Sequence, residues 1–312
     1  MPIEVTAEGA YGKQLVPVVK VVKRPEAHTV FDMVVQTILE GDFLEAYTQG
    51  DNARILPTET QKNTCYAIAM KCDFDSVEEY ALHLGRHFIS TQKHITKAIV
   101  TVDANQWTRF QVQGKPHQHV FTGPADPSKH TCQVVICRTQ GETVTSGVRD
   151  LQLMKTTQSG FAGFIVDQYT DIKPVDPSVA ASPDRVLCTN ATMNWTYAVK
   201  PLRLEGSPED KEYKKKNEDI LTLMLEKFAG PADTGVYSKS VQETVYQMGV
   251  DAMQVHSDVD AVFFRLPNVH HYVYNLDKFG MKNPNVVFQK AGIPNNASGL
   301  IELRLTRKVS KL

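Results

Sequence analysis

The sequence predicts an α+β fold built from one unit repeated in tandem, with antiparallel sheets, and three observations carry that expectation. The chain has 312 residues, about two domain lengths at ~150 residues each. Each half reads as strands, then helices, then strands. Neither the GxGxxG dinucleotide loop nor the GxxxxGK(S/T) phosphate loop of alternating βαβ folds is present. Apolar residues reach 42% before the 18 glycines are added, which supplies a sizeable core and excludes a disordered chain.

In the first half, residues 15–23 and 29–40 are rich in β-branched side chains and end at Gly41-Asp42, which predicts two consecutive strands. Their adjacent valines predict burial on both faces. Thr58-Glu59-Thr60-Gln61 has the capping-box spacing and predicts a short helix through Met70 with Thr58 as its cap. Asp75-Ser76 with Glu79 has a second such spacing. Val77, Tyr80, Ala81, Leu84 and Phe88 then recur at helical intervals, so a helix is expected over 76–90. Strands resume at 98–102, 107–112 and 133–138. The polar, glycine-flanked stretch 140–147 reads as the linker, giving domains 1–143 and 144–312.

The second half repeats the order. Strand-like segments at 151–155, 185–189 and 195–202 precede a helix rich in lysine and glutamate at 209–228, whose Lys214 to Lys216 run reads as a solvated face. Ser240 and Glu243 form a third capping box, with Val241, Val245, Met248, Ala252 and Val255 as the core stripe of the helix they open. Strands follow at 261–266, 270–276 and 300–306. The last alternates Ile301, Leu303 and Leu305 inward with Glu302, Arg304 and Thr306 outward.

Thirty-four basic against 35 acidic residues give a formal charge of −1, so no strong field favours nucleic acid or an anionic membrane as partner. No apolar stretch approaches the roughly 18 to 20 residues of a spanning helix, and the first residues lack a secretory profile, so a soluble, non-secreted protein is expected. Five cysteines (Cys65, Cys72, Cys132, Cys137, Cys188) are odd in number and form no CxxC pair. Reduced, mostly buried thiols follow, with no disulfide framework or cysteine zinc site. Because the chain shows no secretory entry signal, the sequons at Asn190, Asn194 and Asn296 are not read as glycosylated. His117 and His119 lie two apart on one strand face, a spacing that suits a metal, but no third ligand accompanies them and no metal is expected.

Eight short runs carry a more specific signal: Tyr11-Gly12-Lys13; Gly50-Asp51-Asn52 with Thr58-Glu59-Thr60-Gln61-Lys62-Asn63-Thr64; Trp107-Thr108-Arg109; Gly114-Lys115-Pro116-His117; Gly163-Phe164 with Asp167-Gln168-Tyr169-Thr170; Asp184-Arg185; Val241-Gln242; and Leu266-Pro267-Asn268 with His270-His271. In this order and spacing, from about residue 11 to 307, the chain resembles the urate oxidase family. The resemblance implies tandem tunnelling-fold (T-fold) domains, with two subunits closing their sheets into a barrel and two barrels stacking around a tunnel in a homotetramer. It implies oxidation of urate by O₂ and water to 5-hydroxyisourate and hydrogen peroxide without any cofactor. Lys13 and Thr58 match the family's proton relay and His270 its catalytic histidine. Phe161 would stack on the purine, with Thr58, Glu59, Arg185, Gln242 and the Val241 N–H also meeting substrate, and Asn268 near the oxygen or water position. Glu59 stands where the family often has aspartate, so its reach is longer by one C–C bond.

His270 and His271 are neighbours on an expected strand, so they point to opposite faces, and the alignment from Pro267 selects His270. Ser310-Lys311-Leu312 is the peroxisomal tripeptide read by an import receptor, which suits an enzyme that makes peroxide. Two rival readings are a metal-dependent T-fold purine or pterin enzyme with three histidines, and a non-catalytic purine-binding protein. The presence of Lys13, Thr58 and His270 together weighs against the second.

Overall fold

The computed structural model describes residues 8–123, 127–160, 184–290 and 297–308. Its strands are β1 (Ala10–Lys23), β2 (His28–Gly41), β3 (Ile95–Asn105), β4 (Thr108–Val112), β5 (Lys115–Thr122), β6 (Lys129–Cys137), β7 (Gly141–Lys155), β8 (Leu187–Tyr197), β9 (Val259–Pro267), β10 (His271–Val273), β11 (Phe288–Lys290) and β12 (Leu300–Thr306). The helices are α1 (Leu44–Thr48), α2 (Thr58–Lys71), α3 (Val77–Thr91), α4 (Tyr213–Ala229) and α5 (Val241–Val255). Two compact units result. Unit one holds Met1–Val148 and Trp195–Glu218; unit two holds Arg149–Asn194 and Asp219–Leu312.

In unit one the hydrogen-bonded strand order is β1-β2-β3-β6-β7, and the pairs β1–β2, β2–β3 and β3–β6 are antiparallel. α2 packs on β1 and α3 on β3 and β6. The strands alternate as an amphipathic sheet should: Val16, Val18, Met33, Val35, Leu39, Val100, Val102, Val134 and Ile136 are buried, and Tyr80, Leu84 and Phe88 of α3 are buried too. Ser76 caps α3 by accepting the Glu79 N–H at 3.1 Å, while the Glu79 carboxylate takes the Asp75 N–H at 2.8 Å. In unit two the order is β7-β8-β9-β12, with β9–β12 antiparallel and α5 packed on both of those strands. The Ser240 hydroxyl caps α5 through the Glu243 N–H at 3.1 Å. The order strands, helices, strands appears in each half, and the fold is an antiparallel sheet with helices on one face.

Two expectations are corrected. The stretch 140–147 is no linker but the first half of the 15-residue strand β7, in which Glu142, Val144 and Ser146 are buried. Its polar residues looked solvated, yet they have partners inside the fold. Glu142 accepts two hydrogen bonds from Arg86 at 2.9 and 2.7 Å, and Ser146 donates to Glu78 at 2.9 Å. Burial of the β1 valines on both faces is not seen either: Val19 is 65% and Val21 45% exposed, since the helices cover only one side. The five cysteines are free and four are buried, and among the described residues no helix is long and apolar enough to cross a membrane.

Candidate active site

In unit one the site starts from a close backbone approach. A Cβ on Gly12 would lie 1.7 Å from the Thr37 carbonyl oxygen, so only glycine lets β1 pair with β2 here. Lys13 follows, opposite Thr37, and then the register slips by one residue before Val16. Leu15 takes the left-handed conformation in that bulge, φ 57°. A bulge re-aims the neighbouring side chain, and here Lys13 Nζ stands 3.9 Å from Glu59 Oε2 on α2. Lys62 holds the other carboxylate oxygen of Glu59. The hydrogen bond from Lys62 lowers the Glu59 pKa against the opposing effect of desolvation, and the Lys62 and Lys13 charges lower it further.

Thr58 differs from expectation. Pro57 is the N-cap of α2 and makes no side-chain cap, so Thr58 is the first helical residue and is exposed. Gln61 does not reach back to the Thr58 N–H as a capping box requires. It is buried, accepting from Thr37 Oγ1 at 2.8 Å and donating to the Leu56 carbonyl at 3.3 Å. Proline takes this position easily because it lacks the N–H that would otherwise need a partner. What survives is the placement of the Thr58 hydroxyl on the first turn, where unpaired N–H groups favour an anion.

In unit two, Asp184 accepts from Thr157 Oγ1 and the Gln158 N–H, each at 3.0 Å, and the Arg185 N–H donates to the Ser159 carbonyl at 2.8 Å. Ser159 bridges to Ser238, and Gly160 donates to the Ser238 carbonyl at 2.9 Å. Ser238 lies two residues before the cap of α5, whose first residues are Val241 and Gln242. Arg185 and the start of α5 are therefore tied to one short segment. Gln242 is exposed and the Val241 N–H is in the first helical turn, where it lacks an intrahelical acceptor.

Asn268 bridges to Thr189 on β8, and its side-chain amide lies 3.3 Å from His270 Nδ1. The His270 ring stacks on Tyr272 at 5.6 Å between centroids, while the His271 ring turns to Phe288. His270 precedes β10 rather than lying in it, but the two histidines do diverge as expected. Burial lowers the His270 pKa, and the Arg185 charge and the neighbouring His271 ring lower it further. Near neutral pH this imidazole is uncharged and has one nitrogen ready to accept a proton.

Structure thus brings Lys13 and Glu59 together beside the start of α2, and Asn268 and His270 together in the field of Arg185. Phe161, the 163–170 motif and Ser310 to Leu312 lie outside the described residues. Tyr11, Thr37 and Gln61 were not singled out as site residues by sequence reasoning, although Tyr11 and Gln61 stood in quoted motifs. His119 has His117 at 4.7 Å and His28 at 5.8 Å between ring centroids, but among the described residues no group of three or more histidine, cysteine or acidic side chains is placed to hold a metal ion.

The antiparallel sheet with its one-sided helices defines the chain as a T-fold protein. The model of the uricase family matches residues 9–134 and 144–297. The uricase of Dictyostelium discoideum is 37% identical over 308 residues, 98% of each chain, and uricase-2 of Phaseolus vulgaris is 35% identical over 310 residues, 98% of this chain and 96% of its own. The crystal structure of the uricase from Arthrobacter globiformis superposes with a TM-score of 0.83 at 30% identity, covering 100% of this chain and 98% of that one. This chain belongs to the uricase family.

Proposed function

We propose that this protein oxidises urate with O₂ and water, giving 5-hydroxyisourate and hydrogen peroxide. The observation that carries the reading is full-length similarity to uricases, in a chain whose Lys13, Thr58 and His270 stand in the motifs of the family resemblance. Atoms and electrons balance without an added oxidant or reductant: urate loses two electrons, O₂ gains them as peroxide, and water supplies the new hydroxyl. No flavin, haem or metal takes part in this reading.

Each residue has a task that its chemistry suits. The planar Arg185 guanidinium offers two parallel donors to the carbonyl edge of urate, the Gln242 amide offers a donor and an acceptor, and the Val241 N–H adds a donor at the helix start. Phe161 stacks on the ring. These groups hold an electron-rich urate anion so that it can pass electrons to O₂. Lys13 and Thr58 move protons, with Glu59 steadying Lys13. Neutral His270, with Asn268 beside it, positions and activates the water.

The chain is a tandem pair of T-fold copies, 1–143 and 144–312, and the working form is a homotetramer. Lys13, Thr58 and Glu59 of one subunit meet Phe161, Arg185, Gln242, Asn268 and His270 of its neighbour. Support comes from β1, the end strand in unit one, and β12, the end strand in unit two, because joining sheets between subunits removes their open edges. The tripeptide Ser310 to Leu312 directs the enzyme to the peroxisome. Deleting it should leave activity intact and the protein cytosolic; continued import would refute that role.

The decisive test follows the ultraviolet absorbance of urate with chelator-treated protein under air and under argon. Loss of urate in air alone, with peroxide released in equal amount, is expected. No reaction in air would refute the assignment, and activity restored by one added metal would refute its cofactor-free form.

A further inference from the structure

We propose that Tyr11, Thr37 and Gln61 form a positioning clamp on the Leu56 backbone, and that this clamp sets Thr58 against Lys13. The proposal rests on the reading of those two residues as a proton relay. Both backbone polar groups of one residue are held. The Leu56 N–H donates to Tyr11 Oη at 2.7 Å, and the Leu56 carbonyl accepts from Gln61 Nε2 at 3.3 Å. Gln61 is oriented in turn, since its Oε1 accepts from Thr37 Oγ1 at 2.8 Å. The Tyr11 ring is fixed by an edge contact with Phe43, 4.9 Å between centroids.

The geometry links the clamp to both relay residues. Thr37 is the cross-strand partner of Lys13, and Tyr11 is two residues from Lys13 on the same strand. Leu56 is two residues before Thr58, and between them stands Pro57, whose ring fixes its own φ, here −51°. A backbone held on both sides of the Leu56 Cα therefore carries its placement on to Thr58 through few free dihedrals.

Stability gives a weaker reason for the same residues. Thr37 and Gln61 are both fully buried, at 0% exposure. A mutually satisfied polar pair adds little net stability, and replacing both partners with apolar groups of similar shape is close to neutral. Two apolar side chains would fill this space as well. They would not orient the Leu56 carbonyl.

The test compares the intact enzyme with the double variant Thr37→Val/Gln61→Leu and, separately, with Tyr11→Phe, which keeps the ring. Displacement of a reacting group by about 1 Å can cost up to 100-fold, so each is expected to lower kcat by roughly 10-fold or more. KM for urate and the Kd of a non-reacting purine analogue should stay within about 2-fold, and the melting temperature should hold. Amide hydrogen exchange at Leu56 should accelerate in both variants. Unchanged kcat in Tyr11→Phe, or slow exchange at Leu56 in both variants, overturns the clamp. Loss of kcat only in proportion to lost stability or analogue binding overturns it too. If the double variant does not fold, Tyr11→Phe decides by the same readouts. Should the unaltered protein not oxidise urate, the functional assignment falls, while Leu56 exchange still tests the clamp itself.

Discussion

Gly12 shows how one atom decides the placement of a charge. With no Cβ it lets β1 approach the Thr37 carbonyl, and the bulge that follows turns Lys13 toward Glu59. Lys13→Met should lower kcat by far more than it weakens binding of a non-reacting purine analogue, because the lost group serves proton transfer. Equal losses in the two measurements would make Lys13 a binding charge instead. Arg185→Lys should act in the opposite sense. A point charge cannot reproduce a planar fork, so KM should rise on the order of 10-fold or more with a smaller change in kcat. Steady-state kinetics showing an unchanged KM would move Arg185 out of the substrate's reach.

At the scale of elements, α3 organises unit one through two buried polar clusters. Arg86 pairs with Glu142 at 2.7 Å and with Asp210 at 2.6 Å, joining α3 to β7 and to the turn before α4. Removing one member of such a set strands a buried charge and costs about 3–5 kcal/mol. Glu78, also on α3, lies 2.6 Å from His130 Nε2 and accepts from Ser146. Burial alone would raise the Glu78 carboxyl, but the His130 charge and these hydrogen bonds outweigh it and hold the pKa down. Burial alone would lower His130, and Glu78 outweighs that and holds it up.

The signs give a pH window for this pair. A histidine raised in the folded state contributes stability that is complete below its ordinary value of 6.5 and is lost as pH climbs through the raised value. The depressed carboxylate contributes above its ordinary 4.5 and is lost as pH falls through the lower value. Calorimetry of the unaltered protein and of His130→Gln should therefore show the largest difference in melting temperature between about pH 4.5 and 6.5, narrowing at higher pH. A difference independent of pH would mean that the pair is not ionised.

For the whole molecule, a shared site makes a prediction that no single chain can satisfy. Thr58→Ala and Arg185→Ala chains should each be nearly inactive alone. Refolded together in equal amounts, they should recover activity toward roughly a quarter of the sites, because each half-site is drawn independently from two kinds of chain. Mixed tetramers, shown by mass measurement, that stay as inactive as their parents would place each site within one subunit.

What the sequence determined by itself is what depends on near neighbours. The Ser76 and Ser240 caps, the stripe of α3 and the alternation of β12 were legible because the responsible groups lie within a few residues of each other. The order of the functional motifs was legible too, and with it the family. Tertiary structure alone decided the rest. The stretch 140–147 read as a linker because its partners Arg86 and Glu78 lie more than 50 residues away, and a polar side chain looks solvated until its partner arrives. Gln61 likewise read as the closing residue of a capping box. Thr37, 24 residues before it, takes its oxygen instead, and the cap passes to Pro57. A hydrogen-bonding side chain has one geometry to give, and when a buried donor across the sheet competes with an exposed one in its own helix, the buried donor wins because it has no water to fall back on.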